Sequence, residues 1–146
     1  MAKLVRDAMT PNPSTALMGM TVREAARLME TQDVGSIPVV DSDGVLAGVI
    51  TDRDIVLRVV AAGREPDSTT VDEIATQGVI PAYPDEPLDE ALESMAYRQV
   101  RRLPVVENDR VVGILAQADV AHEARSKKIG QLVEEISQPS GPPSGG

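Results

Sequence analysis

The chain has no cysteine, no phenylalanine and no tryptophan; its only histidine is His122 and its only aromatics are Tyr83 and Tyr97. Without cysteine there is no disulfide framework, no thiol nucleophile and no thiolate metal site. One histidine, flanked by Ala121 and Glu123, has no second imidazole for a metal and no evident nucleophile to activate, so it reads as a surface helix residue and catalysis is not expected. Aromatic platforms for stacking bases are missing. Basic residues are also in deficit, 14 against 23 acidic ones, for a net charge of −9. That balance repels a phosphate backbone and offers no basic stripe for counterion release, which removes nucleic acid from the expected partners. No apolar run approaches the roughly 20 residues of a membrane span, and no apolar segment follows Lys3 at the start. No membrane partner is expected, and the expected location is cytoplasmic. The phosphate-cradling Gly-x-x-x-x-Gly-Lys pattern is absent. Asp41-Ser-Asp-Gly44 opens like a calcium loop but lacks the later ligands and the closing Glu, so it reads as a hairpin turn. No metal site and no required cofactor are expected.

What the chain does have is a repeat. Val34-Gly-Ser-Ile-Pro-Val-Val40 returns as Val100-Arg-Arg-Leu-Pro-Val-Val106 at an offset of 66. Val5, Asp7 and Thr10 recur in the same register as Val71, Glu73 and Thr76, and Glu24, Ala25 and Met29 recur as Glu90, Ala91 and Met95. After the phrase the offset becomes 65, so that Gly48 and Asp54 meet Gly113 and Asp119, as one deletion in a surface turn would require. A repeat of this length is a duplicated folding unit. A unit of about 60 residues buries little surface alone, which predicts a pseudo-twofold pair sharing one aliphatic, methionine-rich core.

Each copy reads as short helices alternating with strands. Thr21-Val-Arg-Glu24 has the form of a capping box, and Val22, Ala25, Ala26 and Met29 follow at helical spacing to an end near Thr31. Ile37 to Val40 and Leu46 to Ile50 read as strands joined by the 41–44 turn. Thr51-Asp-Arg-Asp54 opens a second helix that Gly63 stops, and 64–70 is a polar linker. The second copy predicts a helix from Pro87 to about Arg98, strands at 103–106 and 111–115 around Asn108-Asp109, and a helix from Gln117 to about Arg125. The domains are therefore 1–64, the first repeat with its N-terminal helix or linker, and 65–126, the second. A C-terminal helix is expected over 127–138, and a Pro/Ser/Gly tail over 139–146 is expected to be disordered.

A strand ending in x-Pro-Val-Val, a hairpin to Gly-x-x-[Ser/Thr]-x-x-Asp and a helix after it resemble the CBS domain, named after cystathionine β-synthase. The resemblance covers about 4–126. The first copy carries the full phrase, Gly48-Val-Ile-Thr-Asp-Arg-Asp54, and the second has Ala116 in place of the hydroxyl residue. It implies an α/β (α+β) fold in which two pseudo-twofold-related repeats, each a small sheet packed against helices, leave two clefts. Those clefts commonly take AMP, ADP, ATP or S-adenosylmethionine, and such pairs often form homodimers. On this resemblance the chain is similar to a free-standing, bacterial-type regulatory pair, energy-sensing in kind, that signals to a protein partner. The competing expectation is a scaffold or interaction dimer of the same fold with vestigial clefts.

Thr51 and Asp54 can serve two vicinal ribose hydroxyls, because a carboxylate accepts twice and a threonine hydroxyl both donates and accepts. Three residues apart at a helix start they lie on one face, and the same pattern equally describes an N-terminal cap. The resemblance places Val49 with Ile80 and Val100 to Arg102 around the adenine of that cleft. It places Val34, Gly35, Ser36, Ile37 and Ile114 around the other, with Asp119 as the ribose group. Packing alone accounts for the aliphatic members equally well. Arg101 and Arg102, where the first copy has Gly35 and Ser36, are candidates for phosphate or backbone contacts; pairing with surface carboxylates such as Glu107 is the alternative.

Overall fold

The computed structural model describes residues 3–118. Asp119, His122, the expected helix beyond 118, the 127–138 helix and the 139–146 tail lie outside the described residues. In order, the elements are α1 (Val5–Ala8), β1 (Thr10–Pro11), β2 (Ala16–Leu17), α2 (Val22–Gln32), β3 (Ser36–Val40), β4 (Leu46–Thr51), α3 (Asp52–Ile55) running on into a π-helical turn (Val56–Val60), α4 (Val71–Ile74), α5 (Leu88–Arg98), β5 (Arg102–Glu107) and β6 (Arg110–Ala116).

Local chemistry sets these boundaries. The Thr21 hydroxyl accepts the Glu24 amide at 3.2 Å, and α2 ends where Asp33 turns left-handed, with its amide returning to Glu30 and Met29. Helix α5 begins one residue after Pro87, which stands at the cap without a side-chain bond, and ends at the left-handed Gln99. The Asp41 carboxylate accepts the Asp43 and Val45 amides at 2.9 and 3.0 Å, which closes the first hairpin as an Asx turn. Asn108 and Asp109 both have positive φ, as a two-residue type I′ hairpin requires. Gly63, at φ +72°, stops the π-helical turn.

Among the described residues the architecture is two three-stranded sheets, β2-β3-β4 and β1-β6-β5. The expected single core is there divided into two. One cluster contains Ala16, Val22, Ala25, Met29, Ile37, Val39 and Ile50; the other contains Ala82, Leu88, Ala91, Met95, Leu103, Val105 and Leu115, the same repeat positions. The cores are cross-stitched. Val5, from the first repeat, is fully buried in the second core, while Val71 and Ile74, from the second repeat, are buried in the first. The strand pairing explains why. Thr10 and Pro11 pair with Ile114 and Gly113 of β6, and Thr76 exchanges two main-chain hydrogen bonds with Val49 of β4, at 3.0 and 2.9 Å. Each short leading helix is thus carried onto the other repeat's sheet. At the opposite end the two hairpins meet: the Leu46 amide donates to Asp109 O at 3.1 Å and the Val111 amide to Gly44 O at 3.2 Å. The 65-residue offset exchanges these two bonds, so the pseudo-twofold axis passes between them.

Candidate functional site

Strand β4 ends at Thr51, which is also the cap of α3. Its hydroxyl accepts the Asp54 amide at 3.0 Å, and Asp54 Oδ2 accepts the Thr51 amide at 3.0 Å. The reciprocal pair forms because a threonine and a carboxylate three residues apart satisfy two otherwise orphaned donors. The other carboxylate oxygen, Asp54 Oδ1, stands 3.9 Å from Arg58 Nε, one helical turn on; the Asp54 side chain is only 12% exposed. Arg58 Nη1 donates to Ile74 O at 3.0 Å, which ties the site to α4.

The hairpin register brings the other strand end alongside. Ser36 is the cross-strand partner of Thr51, and the Asp52 amide donates to Gly35 O at 2.9 Å. The second repeat repeats this join: Arg102 partners Ala116, and the Gln117 amide donates to Arg101 O at 2.8 Å. These bonds therefore place Gly35 and Ser36 beside Thr51 and Asp54, and Arg101 and Arg102 beside Ala116. Both arginines are exposed.

Of the expected adenine-slot residues, Val34, Gly35, Ser36, Val49, Val100 and Ile114 are half-buried, and Ile80 is 60% exposed. Ile37 is 1% exposed and belongs to the first core, so its side chain backs the wall and offers no surface to a ligand. Val49 reaches across the pseudo-dyad through Thr76, and Ile80 follows four residues later, within about 14 Å of chain. Ala116 is 7% exposed and presents a methyl group where the first repeat presents its hydroxyl.

Two residues escaped the sequence reading. Arg58 could have been found, because a cation four residues after an acid on a helix is a standard pair. The Asp52–Gly35 approach could not, since it depends on the strand register. The carboxyls whose acidity moves lie on the seam. Asp72 is held below its ordinary value by the Gly19 amide, and Glu73 is held below its own by the Thr70 amide. An open recess of about 460 Å³ is lined by Glu107, Asn108, Arg110 and Val112, at the hairpin end of β6 and roughly 20 Å from Ala116. Among the described residues no group of three or more His, Cys, Asp or Glu is placed to hold a metal ion, and no helix is long and apolar enough to cross a membrane.

Two duplicated α+β halves, cross-stitched through their leading segments and each presenting a strand-to-helix corner, define a tandem-repeat domain pair. The family comparison agrees with that geometry: the CBS domain model matches residues 5–61 and 71–126, and the chain belongs to the CBS domain family. The CBS domain-containing protein YhcV of Bacillus subtilis is 40% identical over 134 residues, 91% of this chain and 94% of that protein. The CBS domain pair of protein MJ0100, solved in complex with 5′-methylthioadenosine and S-adenosyl-L-methionine, superposes with a TM-score of 0.78 at 33% identity, covering 87% of this chain and 99% of that one. Hypoxic Response Protein I, solved with two coordinated zinc ions, superposes at 0.77 with 35% identity over 82% of this chain and 98% of that one.

Proposed function

We propose that this chain is a non-catalytic regulatory module that binds an adenosyl ligand between its repeats and reports occupancy to a protein partner. The observation that carries the reading is the state of the Thr51–Asp54 corner. Asp54 uses one oxygen for the Thr51 amide and, among the described residues, Oδ1 faces Arg58 at 3.9 Å, while the Thr51 hydroxyl accepts the Asp54 amide and keeps its own proton to donate. One acceptor and one donor remain for a ribose diol. This reading regroups the two expected clefts by the hairpin register: Val34, Gly35 and Ser36 join Val49, Ile80 and Val100 as the adenine neighbours of Thr51 and Asp54, and Arg101 and Arg102 join Ile114 and Asp119 in the second site. The ligands bound by the MJ0100 pair support the adenosyl class. The module works in the cytoplasm as a homodimer. Val56, Leu57 and Val60, 55, 49 and 67% exposed along the π-helical turn, form the apolar face that supports this assembly.

A scaffold reading draws on one specific observation, that the same two side chains already complete a capping box without any ligand. A thermal-shift series with AMP, ADP, ATP and S-adenosylmethionine separates the two. A ligand at 100 times its Kd stabilises the folded state by about 2.7 kcal/mol, which should raise the melting temperature by roughly 5–11 °C in a chain of this size. No shift with any of them at millimolar concentration would establish the scaffold.

A further inference from the structure

The two strand-to-helix corners are the same place in the fold and differ in charge. The matched bonds, Asp52 N–H to Gly35 O at 2.9 Å and Gln117 N–H to Arg101 O at 2.8 Å, fix the equivalence residue by residue. In the first corner the residue just before β3, Gly35, has no side chain. The helix residue supplies a carboxylate whose Oδ1 accepts the Arg53 amide at 2.8 Å and whose Oδ2 lies over the glycine, 3.1 Å from where a Cβ at position 35 would stand. In the second corner the carboxylate is replaced by the neutral Gln117, and the bare glycine by Arg101, with Arg102 beside it. The cations near the first corner are Arg58 and Arg53, and both are directed elsewhere. Arg58 is committed to Ile74 O and stands against Asp54, and Arg53 is exposed and turned about 100° around the helix from Asp52.

We propose that Asp52 is a specificity residue of the first site, which selects adenosyl ligands whose 5′ substituent is cationic or neutral and discriminates against a 5′ phosphate. The proposal rests on the reading that Thr51 and Asp54 hold the ribose. Asp52 is one residue from Thr51 and two from Asp54, so its Cα lies within about 8 Å of both, and a 5′ substituent on a ribose held there meets its field. A unit charge about 7 Å away in a water-like dielectric changes affinity roughly threefold. A single positive and a single negative substituent should therefore differ by close to tenfold at this site.

Three probes share the adenosine and differ at the 5′ position: S-adenosylmethionine carries a sulfonium, 5′-methylthioadenosine a neutral thioether, and AMP a phosphate. Calorimetric titration of each into the full chain follows the binding component that Asp54→Ala removes. The wild-type order should be S-adenosylmethionine, then methylthioadenosine, then AMP. Asp52→Asn keeps the main-chain bond to Gly35 and removes the charge. It should weaken S-adenosylmethionine about threefold and strengthen AMP at least threefold, leaving methylthioadenosine unchanged. Unchanged ratios in Asp52→Asn, with methylthioadenosine still bound, would overturn the charge filter alone. No methylthioadenosine binding by the wild-type chain would overturn the ribose reading beneath it.

Discussion

Replacing Gly48 by alanine tests the seam that joins the repeats. A Cβ at this position would fall 2.8 Å from Thr76 O and 3.4 Å from the Ala75 Cβ. The oxygen is main chain, and the same residue exchanges two hydrogen bonds with Val49, so it cannot withdraw without opening the seam. Overpacking of this kind costs about 1–3 kcal/mol, and the stiffer unfolded chain returns less than about 1 kcal/mol. The net loss of roughly 1–2 kcal/mol corresponds to a drop in melting temperature of about 2–8 °C. Gly113 is the repeat equivalent and makes the internal control. Its Cβ would strike Met9 Sδ at 2.6 Å, and Thr10 O lies at 3.1 Å. A methionine tip can rotate away, which leaves only the tight approach to Thr10. Gly113→Ala should therefore lose less than half as much. Thermal melts followed by circular dichroism read both variants. A Gly48→Ala protein that melts with the wild type, or above Gly113→Ala, would refute the argument that the main chain at Thr76 is pinned.

Two further outcomes follow from the same geometry. Asp72 is held below its ordinary value of 3.8 by the Gly19 amide, 2.8 Å away. A carboxyl with a depressed folded value contributes stability that is complete above the unfolded value and vanishes as pH falls through the lower folded one. Asp72→Asn should therefore flatten the loss of melting temperature below about pH 4, and an unaltered acid limb would show that the bond contributes nothing. The exposed Val56, Leu57 and Val60 predict that the chain sediments as a dimer at micromolar concentration and that Val60→Asp sediments as a monomer; a wild-type monomer would sink the assembly.

The long helices and the hairpins were legible in the residues because their causes are local. Ala25, Met29, Ala91 and Met95 recur at helical spacing and are buried, and the Asp41 and Asn108 turns carry the side chains that such turns need. The exchange of leading segments was not legible. Val5 and Val71 declare themselves apolar, but α1 and α4 have four residues each, too few to show a period, and their destinations depend on which sheet edge Thr10 and Thr76 join. That is a choice between two equivalent sheets made by long-range pairing, and it divided the expected single core into two. The π-helical turn, along which Val56, Leu57 and Val60 face outward, also leaves no mark in composition. At the site, Thr51 and Asp54 were recognisable as a pair, and whether they cap or bind was not, because one hydroxyl and one carboxylate can do both.

The most direct measurement of the central claim is isothermal titration of the wild-type chain and of Asp54→Ala with S-adenosylmethionine and AMP, alongside unliganded melts of both. Asp54→Ala removes the acceptor for Thr51 N–H, and a lost cap costs about 1 kcal/mol, so the melt should fall by roughly 2–4 °C while the protein stays folded at the titration temperature. The account predicts saturable heat in the wild type and loss of its first-site component in the variant. Saturable binding that survives unchanged in a folded Asp54→Ala protein, or no heat in the wild type at millimolar ligand, would contradict it.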